Sequence, residues 1–407
     1  MMTISSAGPQ KKLGIYIHIP FCVKKCAYCD FLSFEGQDVL IHKVYAKALI
    51  SEIESHALAY GNDYSVDSVF IGGGTPSLIL PSMIDDILRT IKDRFNMGIN
   101  AEITIEANPK TLTEVKLESY LNSGINRISI GAQSFNDFML RIMGRPHFAE
   151  DIPATFAMAR NAGFQNINLD LIFAVPGQDM NIWKDTLRKA IGLDPEHISF
   201  YSLQIEKGTK FYELFETGPY EKISDRLDRE MYHYAVMRLQ DAGYTRYEIS
   251  NAARSGYECR HNIKYWTLED YLGAGVSAHS YVGGKRFGNT KDIETYIELN
   301  LEPQLVEDEN GNDSEVAYKR LRESSHENST ADDISEYMFT GLRMMKGVGL
   351  DDFERRFGRP MKHVYSNHWL WIERHIQEGS LIVENGRIML TDKGIDISNK
   401  VMGDFTL

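Results

Sequence analysis

From residue 14 to about 205 the chain alternates two hydrophobic rhythms. Short β-rich runs, GIYIHI (14–19), VDSVFI (66–71), AEITIEA (101–107), NRISIG (126–131), NINLDLIF (166–173) and HISFYSL (197–203), read as strands. Between them lie segments with apolar residues spaced three and four apart, such as 44–61, 81–95, 113–124 and 181–193, which read as helices. Strand followed by helix, six times over, predicts parallel strands joined by right-handed crossovers. Six units are too few to close an eight-fold barrel, so the expected fold is α/β, a partial (β/α)6 barrel. In such folds the chemistry sits at the carboxyl ends of the strands, and the unusual motifs of this sequence follow strands directly.

The rhythm then changes. Residues 206–303 contain a long helical pattern near 225–242 and a stretch dense in aromatics and glycines, and they read as an extension of the 1–205 core. Residues 304–332 are polar and charged, a composition expected of a linker or insertion. The tail, 333–407, shows helical patterns followed by LIVENGRIML, two short strands around Asn385-Gly386. Helices followed by a hairpin predict a small winged-helix-like α+β domain. Between 332 and 407 it carries 10 Lys/Arg against 12 Asp/Glu, which does not suit DNA binding.

Composition adds limits. The 407 residues carry a formal charge of −13, which argues against a nucleic-acid footprint. The first residues show no secretory pattern, and no apolar run of membrane-spanning length occurs. With four cysteines and no export signal, a disulfide framework is not expected, and the thiols are expected to be reduced and cytoplasmic.

Three of those cysteines, Cys22, Cys26 and Cys29, fall within eight positions in a loop after the first strand. The C-x3-C-x2-C spacing points to metal. A zinc site would need a fourth ligand, for which His18 and Cys259 are conceivable, though neither has finger-like spacing. An iron–sulfur unit normally takes four thiolates, so three would leave one iron open.

This loop, with Tyr28 before its last cysteine and GGGTPS after the next strand, resembles the radical S-adenosylmethionine (SAM) superfamily. HIPFC, YCDF, TIEANP, RISIGAQSF, GRPH and LDLIFAVPGQ extend the resemblance to the branch holding oxygen-independent coproporphyrinogen III oxidases and HemW-type heme chaperones. The resemblance implies a [4Fe–4S] cluster on Cys22, Cys26 and Cys29, with SAM on the fourth iron. It places Gly73, Gly74 and Thr75 at the methionine amino group of SAM and Arg145 at its carboxylate. Tyr16, Glu106, Gln133 and Asp170 fall on further SAM positions. Phe31, also counted with the SAM contacts, stands where the dehydrogenases resemble a C-x3-C-x2-C-x-C loop with an extra cysteine.

Two functions follow from the resemblance. One is a HemW-like chaperone that binds cluster and SAM and transfers heme to hemoproteins, with transient membrane association. The other is a coproporphyrinogen III dehydrogenase that oxidatively decarboxylates propionates, fed by a low-potential electron donor. The missing extra cysteine and the short segment before Cys22 favour the chaperone. So does HNIKYW (261–266), which fits the HNxxYW pattern of the heme chaperones and places His261, Tyr265 and Trp266 as expected heme contacts. Cys259 is an alternative thiolate.

Overall fold

The computed structural model describes residues 10–301 and 322–407. Its centre is six parallel strands in chain order. β1 (Lys11–Ile19) leads into a two-residue parallel pair, β2 (Phe21–Cys22) and β3 (Phe34–Glu35), between which the cysteine loop lies. Next come β4 (Tyr64–Gly73), β5 (Asn96–Ala107), β6 (Arg127–Gln133), β7 (Ile167–Phe173) and β8 (His197–Ser202). Each after the first pairs with its predecessor, β1 with β4 and so on to β8. The expected α/β partial barrel is borne out.

The crossovers are α1 (Val39–Tyr60), α2 (Pro81–Arg94), α3 (Glu114–Asn122), α4 (Asp137–Ile142), α5 (Asp151–Ala162) and α6 (Met180–Gly192). Four of their six starts follow from capping chemistry: Asp38, Thr113, Asn136 and Asp179 each accept a backbone N–H of the first turn.

The strands are two-faced in an unusual sense. Val69, Ile71, Ile103, Ile105, Ile128, Ile130, Leu169, Leu171, Ile198 and Phe200 pack in the main core that the crossover helices share. Most alternate positions are polar, and several bond one another: Asn168 Nδ2 donates to Ser129 Oγ, and Asn168 Oδ1 accepts from Ser199 Oγ. A period-two pattern therefore yields an apolar coat and a polar lumen.

Short antiparallel strands extend the sheet to twelve. β9 (Thr245–Glu248) and β10 (Asn251–Ala253) lie beyond β8, after α7 (Asp225–Asp241). Beyond β1 come β11 (Tyr271–Ala274), β12 (His279–Val282), β13 (Lys285–Asn289) and β14 (Arg322–Glu327). Only β11 runs parallel to its neighbour. α8 (Arg260–Trp266) and α9 (Ile293–Leu301) complete this half.

Of the stretch 304–332, expected to be a linker, residues 304–321 lie outside those described. The rest departs from that expectation. Residues 322–327 are the edge strand β14, paired with β13, and Ser329 caps the helix Thr330–Gly341. A solvent-facing edge strand needs no apolar alternation, so its polar sequence looks like a linker. In the tail, helices between 350 and 377 precede the hairpin Leu381–Glu384/Arg387–Leu390, joined by Val348–Gly349 into a three-stranded sheet.

Candidate functional site

At the carboxyl ends of the six strands lies a cavity of about 520 Å³. Cys22, Cys26 and Cys29 face it together with Gly73, Gly74 and Thr75 from the end of β4. Glu106 from β5, Gln133 from β6, Arg145, and Asp170 from β7 complete the set expected there, with Phe31 at the rim, 63% exposed. Tyr16 does not line the cavity. Its ring lies against Phe70, and its hydroxyl bonds His18 Nδ1 at 2.9 Å.

The cysteine loop is pinned from several sides. β2 and β3 close its base. His18 Nε2 donates to Leu32 O at 3.1 Å, Ala27 N to Met143 O at 2.9 Å, and Phe211 N to Ala27 O at 2.9 Å. His18 thus spends both ring nitrogens within the protein, and burial lowers its pKa to about 4. Cys259 lies elsewhere, buried against Glu102. Neither joins the three thiols.

Among the described residues, no three His, Cys, Asp or Glu side chains converge closely enough to hold a single metal ion. Three thiols spaced around one cavity instead suit a larger, multi-iron unit. Burial pushes Cys22 up, and Cys29 up to about 11, so these thiols need a strongly positive partner to ionise.

The glycine turn is shaped by its neighbours. Gly73 has φ +115°, and a Cβ there would sit 2.7 Å from the His18 ring. Its N–H donates to Glu106 Oε2 at 3.2 Å. Burial and then the nearby Asp170 raise Glu106 to about 8. Asp170 is held by Ser129 Oγ and Asn168 Nδ2, both at 2.8 Å.

Arg145 is the strongest polar feature. Its Nη2 donates to Gly131 O at 2.8 Å and to Asn108 Oδ1, and Nη1 points at Cys26 Sγ, 3.5 Å away. Its Nε is buried without a hydrogen-bond partner, and among the described residues no carboxylate pairs with it. A buried guanidinium without an anion fits a ligand that brings one. Asn108 also donates to Thr75 Oγ1 at 2.8 Å, so one amide couples the glycine turn to Arg145. Asn108, Ser129 and Asn168 escape a motif reading because each acts through a neighbour; only the position of Asn108 inside TIEANP signals it.

The structure does not bring HNIKYW to this cavity. His261, the first turn of α8, is fully buried, with Nδ1 bonded to Ser68 Oγ at 3.0 Å and Nε2 to Tyr265 OH at 2.9 Å. So placed, it offers no free nitrogen to an iron. Burial, then Lys264, lowers its pKa to about 3. Glu102 accepts the N–H groups of Arg260 and His261, both at 3.1 Å, which fixes the start of α8. Tyr265 packs edge-on to Tyr271, and Trp266 carries the guanidinium of Arg343 over its ring at 4.4 Å.

Comparison with known proteins agrees with this geometry. Residues 16–190 match the radical SAM superfamily, and residues 328–397 match the HemN C-terminal domain. A protein of Bacillus subtilis named heme chaperone HemW is 35% identical over 395 residues, 96% of this chain and 98% of that one. The like-named protein of Lactococcus lactis is 33% identical, covering 98% of each chain. This chain belongs to the HemW branch of the radical SAM superfamily. The coproporphyrinogen III oxidase HemN of Escherichia coli, described as a radical SAM enzyme, shares its fold, with a TM-score of 0.80. That likeness covers 98% of this chain and 91% of the enzyme at 23% identity. Among the described residues of this HemW-branch chain, no helix is long and apolar enough to cross a membrane.

Proposed function

We propose that this chain is a heme carrier: it holds a [4Fe–4S] cluster and SAM, binds heme, and transfers it to acceptor hemoproteins, membrane ones among them. The observation that supports this best is the similarity, along nearly the whole chain, to proteins named heme chaperone HemW. Phe31, where the decarboxylating enzymes are expected to carry a further cysteine, supports it too.

In this reading Cys22, Cys26 and Cys29 ligate three irons. The Gly73–Gly74 turn offers backbone groups to the amino end of SAM, and Arg145 offers its fork to the carboxylate. Glu106, Gln133 and Asp170 bind the remaining polar groups, and the polar lumen beneath limits where they can move. A cluster held by Cys22, Cys26 and Cys29 would supply the low-potential electron needed for reductive cleavage of SAM. At this cavity the chain's own side chains bind and orient the two groups.

The test is an anaerobic hemin titration of cluster-reconstituted protein, followed at the Soret band. Saturable, stoichiometric binding and transfer to an apo-hemoprotein is the expected result. No binding, with protoporphyrinogen formed from coproporphyrinogen III, would instead favour the alternative function, the oxygen-independent dehydrogenase.

A further inference from the structure

The GRPH segment (144–147) has so far supplied one functional side chain, Arg145. Its last residue, His147, is 2% exposed and does not line the cavity. Nε2 of His147 donates to Ala132 O at 3.2 Å, while Nδ1 is buried without a hydrogen-bond partner. A ring nitrogen that faces a carbonyl carries the proton, so Nδ1 keeps a bare lone pair. Burial, then the neighbouring Arg145, lowers the pKa to about 4, and the ring is neutral at pH 7.

The carbonyl that His147 bonds belongs to an unusual piece of backbone. Ile130 of β6 pairs with Leu169 of β7, but the next pair is Gln133 with Leu171, so β6 carries an extra residue there. Such bulges re-aim side chains beside functional sites. Ser134 N donates to Ala132 O at 2.8 Å, which closes a turn around Gln133, and Gln133 has φ +63°. A γ-turn with positive φ is rare and strained at a residue other than glycine. It persists where its surroundings hold it.

Two of the bonds that hold it come from the GRPH segment. Arg145 Nη2 donates to Gly131 O and His147 Nε2 to Ala132 O, so side chains two apart grip consecutive carbonyls. Pro146 between them has a fixed φ, which limits how the two can move relative to each other. There is little slack: a Cβ on Gly131 would lie 3.0 Å from Gln133 Nε2 and 3.1 Å from Arg145 Nη2. In packing this tight, a displaced Ala132 carbonyl carries Gln133 with it.

We propose that His147 is a positioning residue for SAM: through Ala132 O it holds the strained turn that aims Gln133 at the cavity. This rests on the SAM-binding reading above and adds to it a residue that touches no ligand.

The experiment uses the full, cluster-loaded chain and equilibrium dialysis with labelled SAM. His147→Leu removes the donor and keeps apolar bulk, whereas His147→Gln can return an N–H to Ala132 O. Each is made alone and together with Gln133→Ala, with circular dichroism and iron content as controls for folding and loading. SAM affinity is expected to fall about tenfold in His147→Leu, the scale of one lost hydrogen bond, and to stay within about threefold of wild type in His147→Gln. On the Gln133→Ala background His147→Leu should cost less than about twofold, because the group it aims is gone. A merely structural role would not produce that loss of additivity. A folded, loaded His147→Leu that binds SAM as wild type does overturns the proposal. So does an equal loss with and without the Gln133 side chain, since His147 would then act elsewhere. If His147→Leu fails to fold or load, the smaller, polar His147→Asn is judged by the same two criteria. A wild type that loads its cluster but binds no SAM brings down the SAM-binding reading, and the role of His147 with it.

Discussion

Nη1 of Arg145 lies 3.5 Å from Sγ of Cys26, so one cation serves both the cysteine loop and the strand-end cavity. The same guanidinium is tied to Gly131 O and to Asn108, and among the described residues no carboxylate neutralises it. Replacing it by Lys keeps the charge but loses the planar fork. Arg145→Lys is expected to weaken SAM binding to the cluster-loaded protein by about ten- to a hundredfold, the scale of a lost charge-assisted hydrogen bond or two. Equilibrium dialysis with labelled SAM measures this, and an affinity within twofold of wild type would refute the assignment.

Gly73→Ala tests the turn. A methyl group there meets the His18 ring at 2.7 Å in a backbone conformation with φ +115°. The strain is expected to cost about 1–3 kcal/mol and to lower the melting temperature of the cluster-free protein. His18 also holds Leu32, so cluster reconstitution should suffer as well.

Glu106 makes stability depend on pH. Its pKa in the folded chain is raised to about 8 by burial and by Asp170, above its ordinary value of 4.5. A raised carboxyl binds its proton more tightly folded than unfolded, so it stabilises below about pH 4.5 and that contribution is lost as pH climbs toward 8. Glu106→Gln removes the effect while retaining an acceptor for Gly73 N–H. Between those pH limits the variant should gain on wild type by about 3–5 kcal/mol in the cluster-free state. Parallel denaturation curves at pH 5 and pH 8 provide the check.

His261 behaves in the opposite sense. Its pKa is lowered to about 3 from 6.5, so its contribution is complete above pH 6.5 and is lost as pH falls toward 3. His261→Ala leaves Ser68 and Tyr265 without their buried partner and is expected to cost about 2–4 kcal/mol at pH 7. His261→Gln should recover part of that. Urea unfolding distinguishes them, and an alanine variant as stable as wild type would contradict the structural role.

Much of this was legible beforehand. The six parallel strands were readable because each carries apolar residues at alternate positions and is bounded by helix signals, as in NINLDLIF before Asp179 caps α6. The cavity was readable because its residues stand at strand ends, where register alone aligns Glu106 with Ser129. The short flanking strands were not, since β9 to β11 are three or four residues long and set among glycines and aromatics. HNIKYW misled for a different reason. The family resemblance, not the residue chemistry, marked His261 as a heme contact, and the tertiary fold turned the imidazole inward, onto Ser68 of β4. No sequence signal distinguishes those outcomes.

The cysteine loop takes its shape from bonds that involve no metal: the β2–β3 pair, His18 to Leu32, Ala27 to Met143 and Phe211 to Ala27. The polypeptide's own bonds therefore set the loop's outline. On the cluster-carrying reading proposed above, a cluster lost to air is rebuilt in a loop that has kept its shape, so such damage is a matter of repair and not of resynthesis.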